Sequence, residues 1–150
     1  DKIALHSQDY YRTVFELATN AETDIRLYMA ESEGKYIAGI VTCFYNGKAT
    51  YLYGASRSCD REKMPAYALQ WKAICDAKEA GCTSYDMFGI PPADDPSHPM
   101  YGLYRFKTGF GGEIIHPAGC YDYPFEKQKY SLYCLAEKAR SFYFRKIRKR

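Results

Sequence analysis

Three runs of alternating β-branched and aromatic residues, 25–32, 36–45 and 48–55, are separated only by Glu33-Gly34-Lys35 and by Asn46-Gly47. Asn-Gly between two such runs is the strongest short-range hairpin signal, because both residues tolerate the left-handed backbone that a two-residue turn demands. The chain is thereby committed to a three-stranded antiparallel meander. From Pro65 to Ala80 the apolar spacing changes to the helical period, with Tyr67, Leu69, Trp71, Ile74 and Ala77 in one run and Gly81 as its stop. Residues 82–88 then read as a fourth strand. A helix joining two strands makes a crossover, so this strand is expected to lie parallel to the third.

The flanks are less regular. Ser7 is placed to cap a helix over Gln8–Thr19, where Tyr11, Val14, Phe15 and Ala18 recur at helical spacing. Gly89 to Pro99 contains four prolines and Asp94-Asp95 and reads as a long loop, a kind of segment that compact domains seldom keep without a use. A short helix from Pro99 to Thr108 is expected next, then two short strands within 112–123 broken at Pro117. A final helix over 124–147 turns Leu132, Leu135, Ala139 and Phe142 inward. The resulting order is α-βββ-α-β-α-ββ-α. This is an α+β class with a mixed antiparallel and parallel sheet flanked by helices.

A chain of 150 residues suits one domain, and no stretch approaches the roughly 20 apolar residues of a membrane-spanning helix. The net charge of +3 is unevenly spread: residues 139–150 carry +6, which leaves −3 for residues 1–138. The basic end, which includes Arg140, Arg145, Lys146, Arg148, Lys149 and Arg150, would attract phosphate on nucleic acid or on an anionic membrane. Its plain alternative is a solvated helix end whose cations favour the helix dipole. Cys43, Cys59, Cys75, Cys82, Cys120 and Cys134 form no CxxC and no metal-site spacing with His6, His98 or His116. No metal site is expected, and the cysteines read as reduced thiols of a cytoplasmic protein.

A β-β-β-α-β centre resembles the Gcn5-related acetyltransferase fold. Those enzymes hold the pyrophosphate of coenzyme A on backbone N–H groups of a glycine-rich turn leading into the central helix. The corresponding turn here, Ala55 to Pro65, has no glycine, and Pro65 has no N–H, so coenzyme A is not expected. Four other stretches carry a closer resemblance: Tyr51-Leu52-Tyr53-Gly54-Ala55-Ser56; Met64-Pro65-Ala66-Tyr67-Ala68-Leu69-Gln70-Trp71; Ala77-Lys78-Glu79-Ala80-Gly81-Cys82; and Tyr101-Gly102-Leu103-Tyr104-Arg105-Phe106-Lys107-Thr108-Gly109-Phe110-Gly111-Gly112. Together, and with Gly89-Ile90-Pro91, they are similar to the FemABX family in order and spacing.

That resemblance implies an enzyme that takes an amino acid from aminoacyl-tRNA and forms an amide on the peptide stem of a peptidoglycan precursor, lipid-linked or soluble. It implies two acetyltransferase-like domains, of which residues 1–150 match the second, the N-terminal one being absent from this sequence. Phe106 and Lys107 match the family's Phe-Lys pair, and a lysine there would stabilise the transition-state oxygen; Phe106 and Lys107 are thus the catalytic candidates. Tyr51 and Tyr53, two apart on a strand and so expected on one face, are candidates for substrate binding, as are Tyr104 and Arg105. Asp86 is the one carboxylate near the expected cleft, and it suits a turn cap as well as a general base. The competing readings are an N-acyltransferase with another donor and a non-catalytic module that binds tRNA or anionic membrane through residues 140–150. The expected location is the cytoplasm, at the inner face of the membrane.

Overall fold

A computed structural model describes residues 6–19, 23–58 and 60–144. The basic run 145–150 and Cys59 lie outside the described residues. The chain divides into two units, residues 1–113 and residues 114–150.

In the first unit, helix α1 spans Gln8–Ala18, and the Ser7 hydroxyl accepts from the Tyr10 N–H at 3.2 Å, the cap expected from sequence. Strands β1 (Asp24–Ser32), β2 (Lys35–Tyr45) and β3 (Lys48–Ser56) form the antiparallel meander. Both of its turns have two successive residues at positive φ, Glu33-Gly34 at 53° and 72° and Asn46-Gly47 at 46° and 71°. That conformation matches the right-handed twist of the strands they join. Helix α2 (Pro65–Glu79) crosses over to β4 (Ser84–Asp86), which pairs parallel with β3, so the sheet order is β1-β2-β3-β4.

The core lies where α2 rests on the sheet. Leu69 and Ala73 pack against Ala38 and Ile40, and Ala77 joins Phe44 and Ala49. Small residues at 73 and 77 let the helix backbone approach the sheet closely, and each large apolar side chain buried there contributes about 1.5–3 kcal/mol. Strand β2 is buried on both faces, with Val41 on the opposite side of the sheet from Ile40.

Strand β3 carries a bulge that the sequence does not announce. Tyr53 stands opposite Val41 and Tyr51 opposite Thr42, so Leu52 is an extra residue in the ladder. Opposed residues share a face of the sheet, and along β2 Thr42 and Ile40 face α2 while Val41 faces away. Tyr51 therefore points to the α2 side and Tyr53 to the other. The expectation that both tyrosines share one face is corrected by that single inserted residue, which shifts the two-residue period. Gly54, opposite Ile40, returns to the Tyr51 face, and a Cβ built on it would lie 2.0 Å from the Tyr51 hydroxyl.

Strand β4 is shorter than the 82–88 stretch, ending at Asp86. There the Asp86 carboxylate accepts from the Phe88 N–H at 2.8 Å and Phe88 takes φ 63°, so the chain turns out of the sheet. The loop that follows leads to helix α3 (Tyr101–Thr108).

The second unit contains helix α4 (Lys127–Phe142), preceded by a segment without regular structure. The two short strands expected within 112–123 do not form. Pro117 has no N–H for a ladder, Gly111 and Gly119 sit at φ 76° and 94°, and residues 114–123 are exposed along their length. The inward face expected of the last helix is also corrected. Leu132, Leu135 and Phe142 are 69%, 64% and 59% exposed.

Two substitutions test this account. Gly47→Ala meets nothing within 4 Å, so its cost is conformational alone, and a loss of about 1–2 kcal/mol is expected in denaturant titration with an unchanged m-value. Gly54→Ala is expected to cost about 1–3 kcal/mol by overpacking against the Tyr51 hydroxyl. Tyr51→Phe, which removes that oxygen, should recover part of the loss in the double variant; simple additivity of the two changes would contradict the contact.

Candidate functional site

The described site forms where β3 and β4 part. Their pairing ends at Thr50 and Asp86, and the two residues after the strand leave the ladder. Lys107, from the last turn of α3, fills the gap. Its ammonium donates to the carbonyl oxygens of Met87 and of Gly89, the latter at 2.8 Å, and stands 5.2 Å from the centroid of the Tyr51 ring. The residue is only 7% exposed, one of three buried polar or charged residues among those described. Burial pushes its pKa below the usual lysine value, and the Asp86 charge partly opposes that push.

Asp86 is engaged already. One carboxylate oxygen meets the Lys48 ammonium at 2.7 Å, the other takes the Phe88 N–H, and both partners hold its pKa below the ordinary carboxylate value. It caps the turn that presents the Met87 and Gly89 carbonyls, and a carboxylate so held is a weak proton acceptor.

Tyr51 lies half-buried against Ile40, Leu69 and Ala73. Burial raises its pKa, and the Gln70 amide opposes this. Gln70 is wholly buried; its Oε1 accepts from the Tyr85 hydroxyl at 2.6 Å, while its Nε2 has no hydrogen-bond partner among the described residues. A polar residue between Leu69 and Ala73 on the packed side of α2 is a signal in the sequence, since an amide there needs partners, and Gln70 was not among the sequence candidates.

The other candidates lie elsewhere. Tyr53, on the far face, has its hydroxyl 2.7 Å from that of Tyr10 and its ring packed edge-on to Tyr10, Tyr11 and His6. That hydroxyl pair, more than the slight burial, pushes the pKa of Tyr53 up to about 12. Phe106 points into an aromatic cluster with Tyr67, at 4.8 Å between centroids, and Phe110, so it anchors α3 on α2. Tyr104 stacks on Tyr101 at 6.3 Å, and Arg105 is exposed with no ion pair among the described residues. The structure thus brings Lys107 and Tyr51 together and separates both from Tyr53.

In the turn from β3 into α2 several N–H groups bond locally. The Lys63 N–H goes to Asp60 O, that of Met64 to Arg61 O and that of Tyr67 to Met64 O, and Pro65 has none. The Lys63 side chain is held by Asp60, Glu33 and Ser32.

Comparison with known proteins gives the family. The sequence profile of the FemAB family matches residues 18–138. The chain is 34% identical over 106 residues to a lipid II:glycine glycyltransferase of Staphylococcus epidermidis, covering 71% of this chain and 26% of that protein. It is 34% identical over 100 residues to the Staphylococcus aureus enzyme of the same name, covering 67% and 24%. The chain therefore spans about a quarter of the length of these relatives. Among solved structures, the crystal structure of FemX superposes with a TM-score of 0.60 at 30% identity, over 83% of this chain and 29% of that one. The structure of AAC(6')-Iy in complex with a bisubstrate analogue superposes equally well, with a TM-score of 0.60 over 79% and 82% of the two chains at 14% identity, and the aminoglycoside antibiotic 6'-N-acetyltransferase AAC(6')-IG of Acinetobacter haemolyticus with a TM-score of 0.59 at 13% identity, likenesses of fold alone. With its acetyltransferase-like α+β fold and a family match over most of its length, this chain belongs to the FemAB family.

Proposed function

We propose that residues 1–150 form the C-terminal domain of a two-domain enzyme that transfers an amino acid from aminoacyl-tRNA to an amine on the peptide stem of a peptidoglycan precursor. The observation that carries this reading is the desolvated ammonium of Lys107 beside Tyr51, in a chain whose named relatives are lipid II:glycine glycyltransferases. In such a reaction the amine nitrogen attacks the ester carbonyl carbon. A C–N bond forms, the C–O bond to the ribose breaks, and the proton lost by the amine is balanced by one gained at the ribose oxygen. Negative charge develops on the carbonyl oxygen on the way, and a fixed cation in a poorly hydrated place lowers that barrier.

Lys107 suits this role because two backbone carbonyls hold its nitrogen in place, so little reorganisation is needed when charge appears. Tyr51 offers the wall beside it, packed on Leu69 and Ala73 of α2. An aminoacyl ester is already activated, which fits a site whose nearest carboxylate is committed to a turn. Coenzyme A has no part in the proposed reaction; the reading rests on a turn from Ala55 to Pro65 that has no glycine and whose Pro65 has no N–H. The remainder of the precursor site would come from the N-terminal domain, consistent with relatives about four times as long as this chain's matching part. These substrates assign the enzyme to the cytoplasm, at the inner face of the membrane.

In the intact enzyme Lys107→Ala is expected to lower kcat by about 10²–10³ with precursor binding nearly unchanged. Lys107→Gln keeps an N–H donor for the two carbonyls but no charge, and is expected to melt close to wild type and to be as slow as the alanine variant. Wild-type turnover in either variant would overturn the assignment.

A further inference from the structure

Helix α4 is amphipathic in the reverse sense to a core helix. At 3.6 residues per turn, Leu132, Leu135, Ala136, Ala139, Phe142 and Tyr143 fall within an arc of about 120°, and every one of them is exposed. The opposite side is the better covered one. There Tyr130 donates to the Asp122 carboxylate at 2.6 Å, and Cys134 and Glu137 are half-buried. The preceding segment adds Tyr121, Tyr123 and Phe125, exposed at 86%, 82% and 92%.

The charges follow the same division. Lys127 and Lys138 border the apolar arc on one side with no ion pair among the described residues; Lys129 and Arg140 border it on the other, paired with Glu126 at 2.8 Å and with Glu137 at 2.9 Å. Residues 114–150 carry nine Lys and Arg against three acids, whereas residues 1–113 sum to −3. Cations along both borders of an exposed apolar stripe are the pattern of a helix lying in a membrane surface, its stripe among the acyl chains and its lysines reaching back to phosphate. A nucleic acid would use the cations and leave the stripe wet. A second copy of the same face would bring the bordering cations of the two helices against each other. No helix among the described residues is long and apolar enough to cross a membrane, so the fit is to its surface.

We propose that the Leu132–Leu135–Phe142 face of α4, with its bordering lysines, docks on an anionic lipid bilayer. This deepens the proposed function and rests on it for its purpose, since a lipid-linked acceptor would be met at that surface. The docking itself is measured without acceptor or donor.

The experiment is co-sedimentation of the full-length protein with vesicles of phosphatidylcholine, alone or with roughly a third phosphatidylglycerol. Wild type is expected to partition onto the anionic vesicles, weakly onto the neutral ones, and less as salt rises. Leu135→Ser/Phe142→Ser and Lys127→Glu/Lys138→Glu, all at exposed positions, are each expected to weaken partitioning at least about tenfold. Transfer to a water-soluble acceptor should keep its wild-type rate in both variants, which separates docking from catalysis. The proposal is overturned if full-length protein stays off anionic vesicles, if it prefers neither composition, or if either double variant binds as wild type. It is equally overturned if the serine variant dissociates a dimer, or if tRNA is bound and vesicles are not.

Discussion

A buried cation bonded to two backbone carbonyls holds the first unit open at one place. Parallel strands normally satisfy each other's carbonyls, and β4 abandons that arrangement after Asp86. The carbonyl oxygens of Met87 and Gly89 lie beyond the ladder, and the Lys107 ammonium donates to both. The cation in turn needs those carbonyls, since a desolvated ammonium without acceptors would give up its proton. Helix α3 is fixed by this exchange at one end of its packing and by Phe106 against Tyr67 at another. Asp86 completes the arrangement by turning the chain and by placing a negative charge near Lys107.

The bulge at Leu52 decides what shares the opening. Without it, Tyr51 and Tyr53 would both face α2 and compete for the space beside Lys107. With it, Tyr51 alone lies there, over a glycine that leaves room for its hydroxyl. Tyr53 joins Tyr10, Tyr11 and His6 on the other side of the sheet. One inserted residue thus makes two separate aromatic surfaces from a Tyr-x-Tyr pair.

Local chemistry made much of the fold legible. Glu33-Gly34 and Asn46-Gly47 name their turns, Ser7 names its cap, and the apolar spacing from Tyr67 through Leu69, Trp71 and Ile74 to Ala77 places α2. Lys107 was legible through the resemblance of the stretch around Phe106 and not through its own spacing, which fits an ordinary surface lysine. What stayed hidden depends on partners distant in sequence. A bulge is a matter of register between β2 and β3, and nothing in Tyr-Leu-Tyr itself announces it. Residues 112–123 have strand-like composition and form no strand, and α4 has an apolar stripe that its own unit does not cover. In both cases periodicity identifies an amphipathic element and is silent about what it faces.

The central claim is that Lys107 is a charged, solvent-shielded ammonium held by the carbonyls of Met87 and Gly89. Nitrogen-15 NMR of the lysine side chains tests this directly. The account predicts one ammonium signal at neutral pH with slowed hydrogen exchange, absent in Lys107→Gln, and titrating below the ordinary lysine value of 10.5. The sign follows from burial: with the folded pKa depressed, the proton leaves the native protein at lower pH than the unfolded chain, so the burial penalty on stability eases as pH rises through that interval. A Lys107 signal that exchanges freely and titrates at the ordinary value, or one already neutral at pH 7, would contradict the account.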